Sequence, residues 1–166
     1  MDKVLFDQLN AAYASLGRRA SALKGALEEA GLRAIWNWYA YHSSLIDGEY
    51  RMEEFPIPVV DVEGGSHRGG CDVGFHMDEI FVEFQLSCGQ AFGFDFGQLP
   101  YPFEVYGVED YLHDFYRPGM DLDGIAARIM ASGEKQVGVS LTLPGDTGTA
   151  ALLAVVKNCR HWMDIL

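Results

Sequence analysis

Apolar residues near the start of the chain recur at alternating intervals of three and four positions. An α-helix places such residues on one face, so the spacing predicts a helix from about residue 4 to residue 30. Gly31 follows at the position of a left-handed C-terminal cap. We expect the apolar stripe to pack on the protein's own sheet, and a homodimer through helix 4–30 is the alternative. The stripe consists of Phe6, Leu9, Tyr13, Leu16, Ala20, Leu23, Leu27 and Ala30.

The next segment, residues 33–55, is dense in large aromatic side chains. This density is compatible with a strand or with a buried helix, and we predict a strand. Asp47-Gly48 has the composition of a two-residue hairpin turn. Two prolines then restrict the following strand to a sheet edge or to a late start near Val59. Glycines from Gly64 to Gly70 predict a flexible connection.

Three runs between Cys71 and Gly97 alternate apolar and polar residues, which predicts an antiparallel β-meander. A one-residue slip would turn the apolar side of a strand outward, so the alternation also predicts the register. The first hairpin should pair Phe75 with Ile80. The second hairpin, with its last strand over residues 92–96, should place Asp95 opposite Glu83.

The rest of the chain predicts shorter elements. We expect a loop over residues 98–107, a short helix over 109–116, and a second short helix that begins at Asp121 or Asp123 and ends at Gly133. A strand over residues 136–143 and a helix from about Thr147 complete the chain. The predicted fold is a single α+β domain over residues 1–166: a long N-terminal helix, a central antiparallel β-meander, short helices, a further strand and a C-terminal helix.

Composition and net charge limit the kinds of molecule that the protein is expected to bind. The 166 residues are 49% hydrophobic and carry a formal charge of −12, which disfavours nucleic acids and anionic membranes. Residues 1–35 carry four acids and five bases, whereas the remainder carries 20 acids and seven bases. This asymmetry could steer a basic protein partner toward the sheet. Three cysteines without paired spacing, and no targeting or membrane-spanning pattern, predict a cytoplasmic protein.

The predicted register brings acidic residues together on the polar side of the meander. Asp72, Glu83 and Asp95 should lie side by side, with Gln85 and His76 on the same side. Adjacent carboxylates repel one another, so such a row could hold Mg²⁺ or Mn²⁺ through hard oxygen ligands, or keep one carboxyl protonated. A solvated sheet surface of an acidic protein is the alternative interpretation.

The segment GCDVGFHMDEIFVEFQL resembles the catalytic hairpin of the restriction-endonuclease-like nucleases. Asp72 and the triplet Glu83-Phe84-Gln85 occupy the positions of an Asp followed by acid-x-Lys. The resemblance implies that the two acids hold a metal ion. Gln85 stands where that family has the Lys that assists the attacking water.

Two functions are therefore expected from different classes. We favour a protein-binding module without catalysis, because no complete catalytic constellation is present in the sequence. Its architecture resembles that of secretion chaperones and toxin immunity proteins, and Phe81, Tyr101 and Tyr106 are candidate anchors for a basic partner. This function requires no cofactor. The alternative is a metal-dependent hydrolase or nuclease-like enzyme that uses the acidic residues with Mg²⁺ or Mn²⁺.

Overall fold

The computed structural model describes residues 2–38, 43–46, 49–52, 57–109 and 113–164. It is an α+β fold with a long N-terminal helix, as the sequence predicts. The helices are α1 (Lys3–Glu29), α2 (Cys88–Gly93), α3 (Ile125–Ser132) and α4 (Thr149–Asp164). The strands are β1 (Ala34–Trp38), β2 (Ser43–Ile46), β3 (Glu49–Met52), β4 (Pro58–Val62), β5 (Cys71–Phe75), β6 (Glu79–Ser87), β7 (Phe103–Gly107), β8 (Asp114–Tyr116) and β9 (Gln136–Pro144).

Seven strands form one antiparallel sheet in the order β1-β4-β5-β6-β9-β7-β8, and β2 pairs with β3 separately. The β5–β6 hairpin pairs Phe75 with Ile80, which confirms the predicted register. Consecutive strands β4, β5 and β6 form the meander. The strand predicted within residues 33–55 is confirmed by β1, β2 and β3, while the Asp47-Gly48 turn lies outside the described residues.

The hydrophobic core lies between the sheet and the two long helices. The Asp2 carboxylate caps α1 by accepting from the backbone N–H of Leu5 at 2.9 Å. From Tyr13 to Leu27 the apolar stripe of α1 is buried against the sheet and α4, as expected for packing on the protein's own sheet, whereas Ala30 at its end is exposed. Val4 and Leu5, in the first turns of α1, are exposed. Among the helices of the described residues, none combines the length and the apolar character needed to cross a bilayer.

The predicted third meander strand over residues 92–96 is wrong. Ser87 and Gln90 form a capping box, in which each side chain accepts a hydrogen bond from the other residue's backbone N–H, and this box begins α2 directly after β6. The strand next to β6 is instead β9, which the sequence does predict as a strand. Phe94 and Phe96 still reach the core, whereas Phe92 is exposed.

Two further elements differ from the prediction. Residues 103–107, expected in a loop, form β7 and pair with β9. The helix expected over residues 109–116 is also wrong, because Asp114–Tyr116 form β8 and pair with β7; residues 110–112 lie outside the described residues. The short helix ending at Gly133, whose φ of 74° is the left-handed C-terminal cap, is confirmed by α3.

Candidate binding face

The register of the sheet brings four acidic residues into one row across its width. Asp61 of β4 lies opposite Asp72 of β5, which lies opposite Glu83 of β6. Ser140 of β9 follows and lies opposite Glu104 of β7. Directly opposed residues of antiparallel strands share a face, so these side chains lie on one side of the sheet. We call the four carboxylates the acidic row and this side of the sheet the polar face.

The polar face is uniformly negative along its central strands. Strands β4, β5, β6, β7 and β9, all within the described residues, contain no Lys or Arg. They contain five acids: Asp61, Asp72, Glu79, Glu83 and Glu104. The apolar residues that alternate with them point toward α1 and α4 and form the core. These five strands therefore add negative charge and no positive charge to the sheet.

Glu83 has the most perturbed environment of the row. Burial, and secondly the neighbouring Asp72 carboxylate, raise the pKa of Glu83 from 4.5 to about 7. Ionised Glu83 is thus both poorly solvated and repelled by its neighbour. A cation placed beside Glu83 would relieve both effects, because an opposite charge favours the ionised carboxylate.

Residues 63–70 lie over one part of the polar face. Ser66, buried in a 3-10 turn, donates to Asp72 Oδ2 from its hydroxyl at 2.6 Å and from its backbone N–H at 3.2 Å. His67 Nδ1 lies 2.9 Å from Gln85 Nε2. These contacts attach the connection to β5 and to β6. A polar cavity of about 510 Å³ lies beside it, lined in part by His67, Gln85 and Gln136.

The backbone of this connection needs glycine at its turns. Gly64 and Gly65 have φ of 92° and 84°, a region that side chains disfavour. Glu63 adopts a φ of 54° without being glycine. Its carboxylate accepts from the backbone N–H of Arg33 at 3.0 Å and from Arg33 Nε at 3.3 Å. These bonds hold the start of the connection against the start of β1.

Two of the three aromatic residues singled out from the sequence lie on the polar face. The Phe81 ring lies over Gly74 and the Tyr106 ring over Gly138, in positions that a side chain at either glycine would overlap. Both aromatic residues are half-buried. Tyr101 is also half-buried, but it packs against the hydrophobic core. The acidic row is therefore bordered by two partly exposed rings.

The structure brings together only part of the predicted acidic site. Asp72 and Glu83 are adjacent, and Gln85 lies on the same face. His76 lies at the β5–β6 turn, its ring centroid 5.5 Å from that of Phe81. The position predicted for Asp95 is wrong: Ser140 lies opposite Glu83, and Asp95 accepts from the backbone N–H of Gly97 at 3.0 Å, away from the sheet.

Asp61, Ser66 and Glu104 were not anticipated as site residues. The alternation of Val60, Asp61 and Val62 is the signal that could have identified Asp61, because pairing this strand with β5 by its apolar side places Asp61 opposite Asp72. Ser66 carries no such signal, since a connection has no periodicity. Glu104 lies between the apolar residues Phe103 and Val105, in the Tyr-rich segment 98–107 that was predicted as a loop.

The described residues contain no group of three His, Cys, Asp or Glu side chains arranged to hold a metal ion. In the acidic row, Asp72 Oδ2 already accepts two hydrogen bonds from Ser66. The nuclease-like pair of Asp72 and Glu83 is thus present as a pair of neighbours without a third ligand from the described chain.

The three cysteines are free thiols. Burial raises the pKa of Cys71 to about 12, and it raises the pKa of Cys159 well above its usual range. Cys88, predicted on the apolar side of a strand, is instead the first residue of α2, and its thiol donates to the backbone oxygen of Glu134 at 2.5 Å. Burial also raises its pKa. None of the three is an activated nucleophile.

No protein-family model and no curated protein matches the chain. A solved structure with a similar fold is that of a conserved hypothetical protein from Pyrococcus furiosus, with a TM-score of 0.66 and 21% sequence identity. The match covers 98% of this chain and 96% of the other. At this identity the similarity shows the fold alone, which does not determine a function.

Ser66→Ala should lower the free energy of unfolding by about 1 to 2 kcal/mol, because it removes a donor from a partly buried carboxylate. Urea unfolding would measure this change. Ser21→Ala is the matched control, since Ser21 lies exposed on α1 and its loss should change stability by less than about 0.5 kcal/mol. Equal effects of the two substitutions would show that the Ser66–Asp72 contact does not stabilise the fold.

Proposed function

We propose that this protein is a non-catalytic binding module whose polar face docks a Lys- or Arg-rich segment of a partner protein. The observation that carries the proposal is the acidic row: four carboxylates across the sheet, on central strands without Lys or Arg. Charge complementarity of this kind directs association and selects partners. The free thiols support a cytoplasmic location for the module.

Glu83 makes the proposed binding dependent on pH. The free protein holds a proton on Glu83 up to a pKa of about 7, and a bound cation would lower that pKa. Binding therefore releases a proton, and affinity rises as pH increases from 6 to 8. The half-buried rings of Phe81 and Tyr106 border the row and offer apolar contact to the stems of Lys side chains.

A short fluorescent peptide of Lys, Ser and Gly tests the proposal by fluorescence anisotropy. We expect saturable binding that weakens with salt and that strengthens up to about tenfold between pH 6 and pH 8, since one pKa unit corresponds to a factor of ten. Glu83→Gln should weaken binding at pH 8 and remove most of the pH dependence. The difference between wild type and Glu83→Gln is the diagnostic quantity, because it isolates the contribution of Glu83.

Glu29→Gln is the matched control, because it changes the net charge equally at an exposed position of α1. It should leave peptide affinity nearly unchanged. The proposal fails if the peptide does not bind at low salt, or if Glu29→Gln and Glu83→Gln weaken binding equally. The second result would indicate attraction by net charge alone.

A metal-dependent hydrolase remains the second proposal, supported by the adjacency of Asp72 and Glu83. It has less support because Ser66 donates twice to Asp72 Oδ2 and the described residues add no third ligand. Calorimetric titration with Mg²⁺ and Mn²⁺ separates the two proposals. Specific binding of either ion that is lost in Asp72→Asn would favour the hydrolase.

A further inference from the structure

A second surface, separate from the polar face, lies between α2 and α3. A groove of about 200 Å³ opens there, smaller than the roughly 300–1,000 Å³ typical of small-molecule pockets. Buried Phe94 and Phe96 contribute apolar walls from the α2 side, and Leu122 and Ala126 contribute from the α3 side. The volume matches an apolar side chain better than a complete small molecule.

Exposed apolar side chains border this groove. Phe92 of α2 lines it and is 47% exposed. Met130 of α3 is 70% exposed and lies one helical turn beyond Ala126, on the same side of the helix. Single exposed apolar residues are common, but Phe92 and Met130 add exposed apolar surface beside a groove that has Phe94 and Phe96 in its wall, and Met is a frequent residue of adaptable binding surfaces.

The charged residues that line the groove are all acidic. Asp95 and Asp123 are exposed among its lining residues, which include no Lys or Arg. Arg128 is on the same helix, but its guanidinium donates to the backbone oxygens of Phe115 and Asp121, each at 2.5 Å. The acidic edge therefore complements a cationic ligand and repels an anionic one.

We propose that this groove receives one large apolar side chain from a partner segment that carries Lys or Arg beside it. The apolar side chain replaces water against Phe94 and Phe96, while the flanking cations meet Asp95 and Asp123. This surface is independent of the acidic row, so a partner with both an apolar anchor and a basic tract would contact the protein at two places.

Two peptides separate the groove from the polar face. One is the Lys, Ser and Gly peptide described above, and the other has a central Leu in place of one Ser. With wild-type protein, the Leu peptide should bind about tenfold more tightly, as expected when one apolar anchor is buried at an interface. Fluorescence anisotropy measures both affinities under identical salt and pH.

Ala126→Trp places a large side chain in the groove, and Ala127→Trp places the same side chain on the adjacent exposed position outside it. The advantage of the Leu peptide should disappear in Ala126→Trp and persist in Ala127→Trp. Affinity for the Leu-free peptide should be unchanged in both, and circular dichroism verifies that both variants fold. Replacing Asp95 and Asp123 by Asn should weaken the Leu peptide several-fold and reduce its salt dependence.

Two results would overturn the inference: no advantage of Leu in wild type, or an advantage that survives Ala126→Trp. The proposed function fails separately, if the Leu-free peptide does not bind or if its binding is insensitive to Glu83→Gln. A Leu peptide that binds through the groove while the Leu-free peptide does not bind would support this inference and reject the polar face as the docking site.

Discussion

Glu83→Gln should make the folded protein more stable than wild type at pH 8 and about equally stable at pH 4. Burial and the Asp72 carboxylate raise the pKa of Glu83 from 4.5 to about 7. Between these values the folded state binds more protons than the unfolded state, so wild-type stability falls as pH rises. Gln remains neutral and carries no such penalty.

The size of this effect follows from the pKa shift. At 1.36 kcal/mol per pKa unit, the gain at pH 8 is at most about 3 kcal/mol, and partial exposure of Glu83 reduces it. Nearby charged or titratable groups are Asp61, Asp72, Glu104 and His67. Wild type and variant share these groups, so the difference between their free energies of unfolding isolates Glu83.

Urea unfolding of both proteins from pH 4 to pH 8 measures this difference. Glu104→Gln is the control, because Glu104 is in the same row but exposed, and its replacement should change stability little at either pH. A difference between wild type and Glu83→Gln that stays flat across this pH range would contradict the environment assigned to Glu83.

Gly70→Ala should destabilise the protein by about 3 kcal/mol, at the upper end of the cost of overpacking. A Cβ at Gly70 would overlap the backbone oxygen of Val62 and lie 3.1 Å from the backbone oxygen of Glu63. Both obstacles are backbone atoms, which cannot rotate away as a side chain can. Residues 63–70, which connect β4 to β5 over the polar face, would therefore have to shift away from the end of β4.

Gly25→Ala is the opposite case and serves as the control. Gly25 lies within α1, and a Cβ there would have no neighbour within 4 Å. Ala is the better helix former, so this substitution should stabilise the protein by up to about 1 kcal/mol. Thermal or urea unfolding compares the two variants. Equal, small effects would show that the connection tolerates a side chain at Gly70.

The sequence predicted the β5–β6 hairpin to the residue because apolar residues alternate along both strands, with Phe81 as the one apolar residue on the polar side. A slip of one position would have exposed Val73 and Val82, and only one register keeps them together. The long helix was predictable for a similar reason, since its stripe repeats over seven turns. The alternation in the hairpin and the stripe of the helix both arise because one side of the element is buried.

The misplaced strand over residues 92–96 shows where such patterns fail. Phe92, Phe94 and Phe96 alternate with small residues as in a strand, yet Ser87 and Gln90 supply a local helix start that the alternation conceals. The neighbour of β6 comes instead from β9, about fifty residues further along the chain. No local pattern identifies which of several strands will pair at that distance.

The predicted placement of the acidic residues was therefore correct for Asp72 and Glu83 and wrong for Asp95. Asp72 and Glu83 lie in the hairpin whose predicted register is confirmed, whereas Asp95 was assigned to a predicted strand that the structure does not contain. Asp61 and Glu104 belong to strands whose order in the sheet depends on tertiary packing. The acidic row therefore contains four carboxylates where three were predicted. Its central pair is the predicted one, whereas its outer members lie on β4 and β7.

The most direct test of the central proposal is the location of the surface that binds a basic segment. Amide ¹H–¹⁵N NMR spectra recorded during titration with the Lys, Ser and Gly peptide give this location residue by residue. We predict saturable shifts concentrated at Asp61, Asp72, Glu83, Ser140 and Glu104. Shifts confined to α1, α2 or α3, or no saturable shifts at low salt, would contradict the assignment of the polar face as the binding surface.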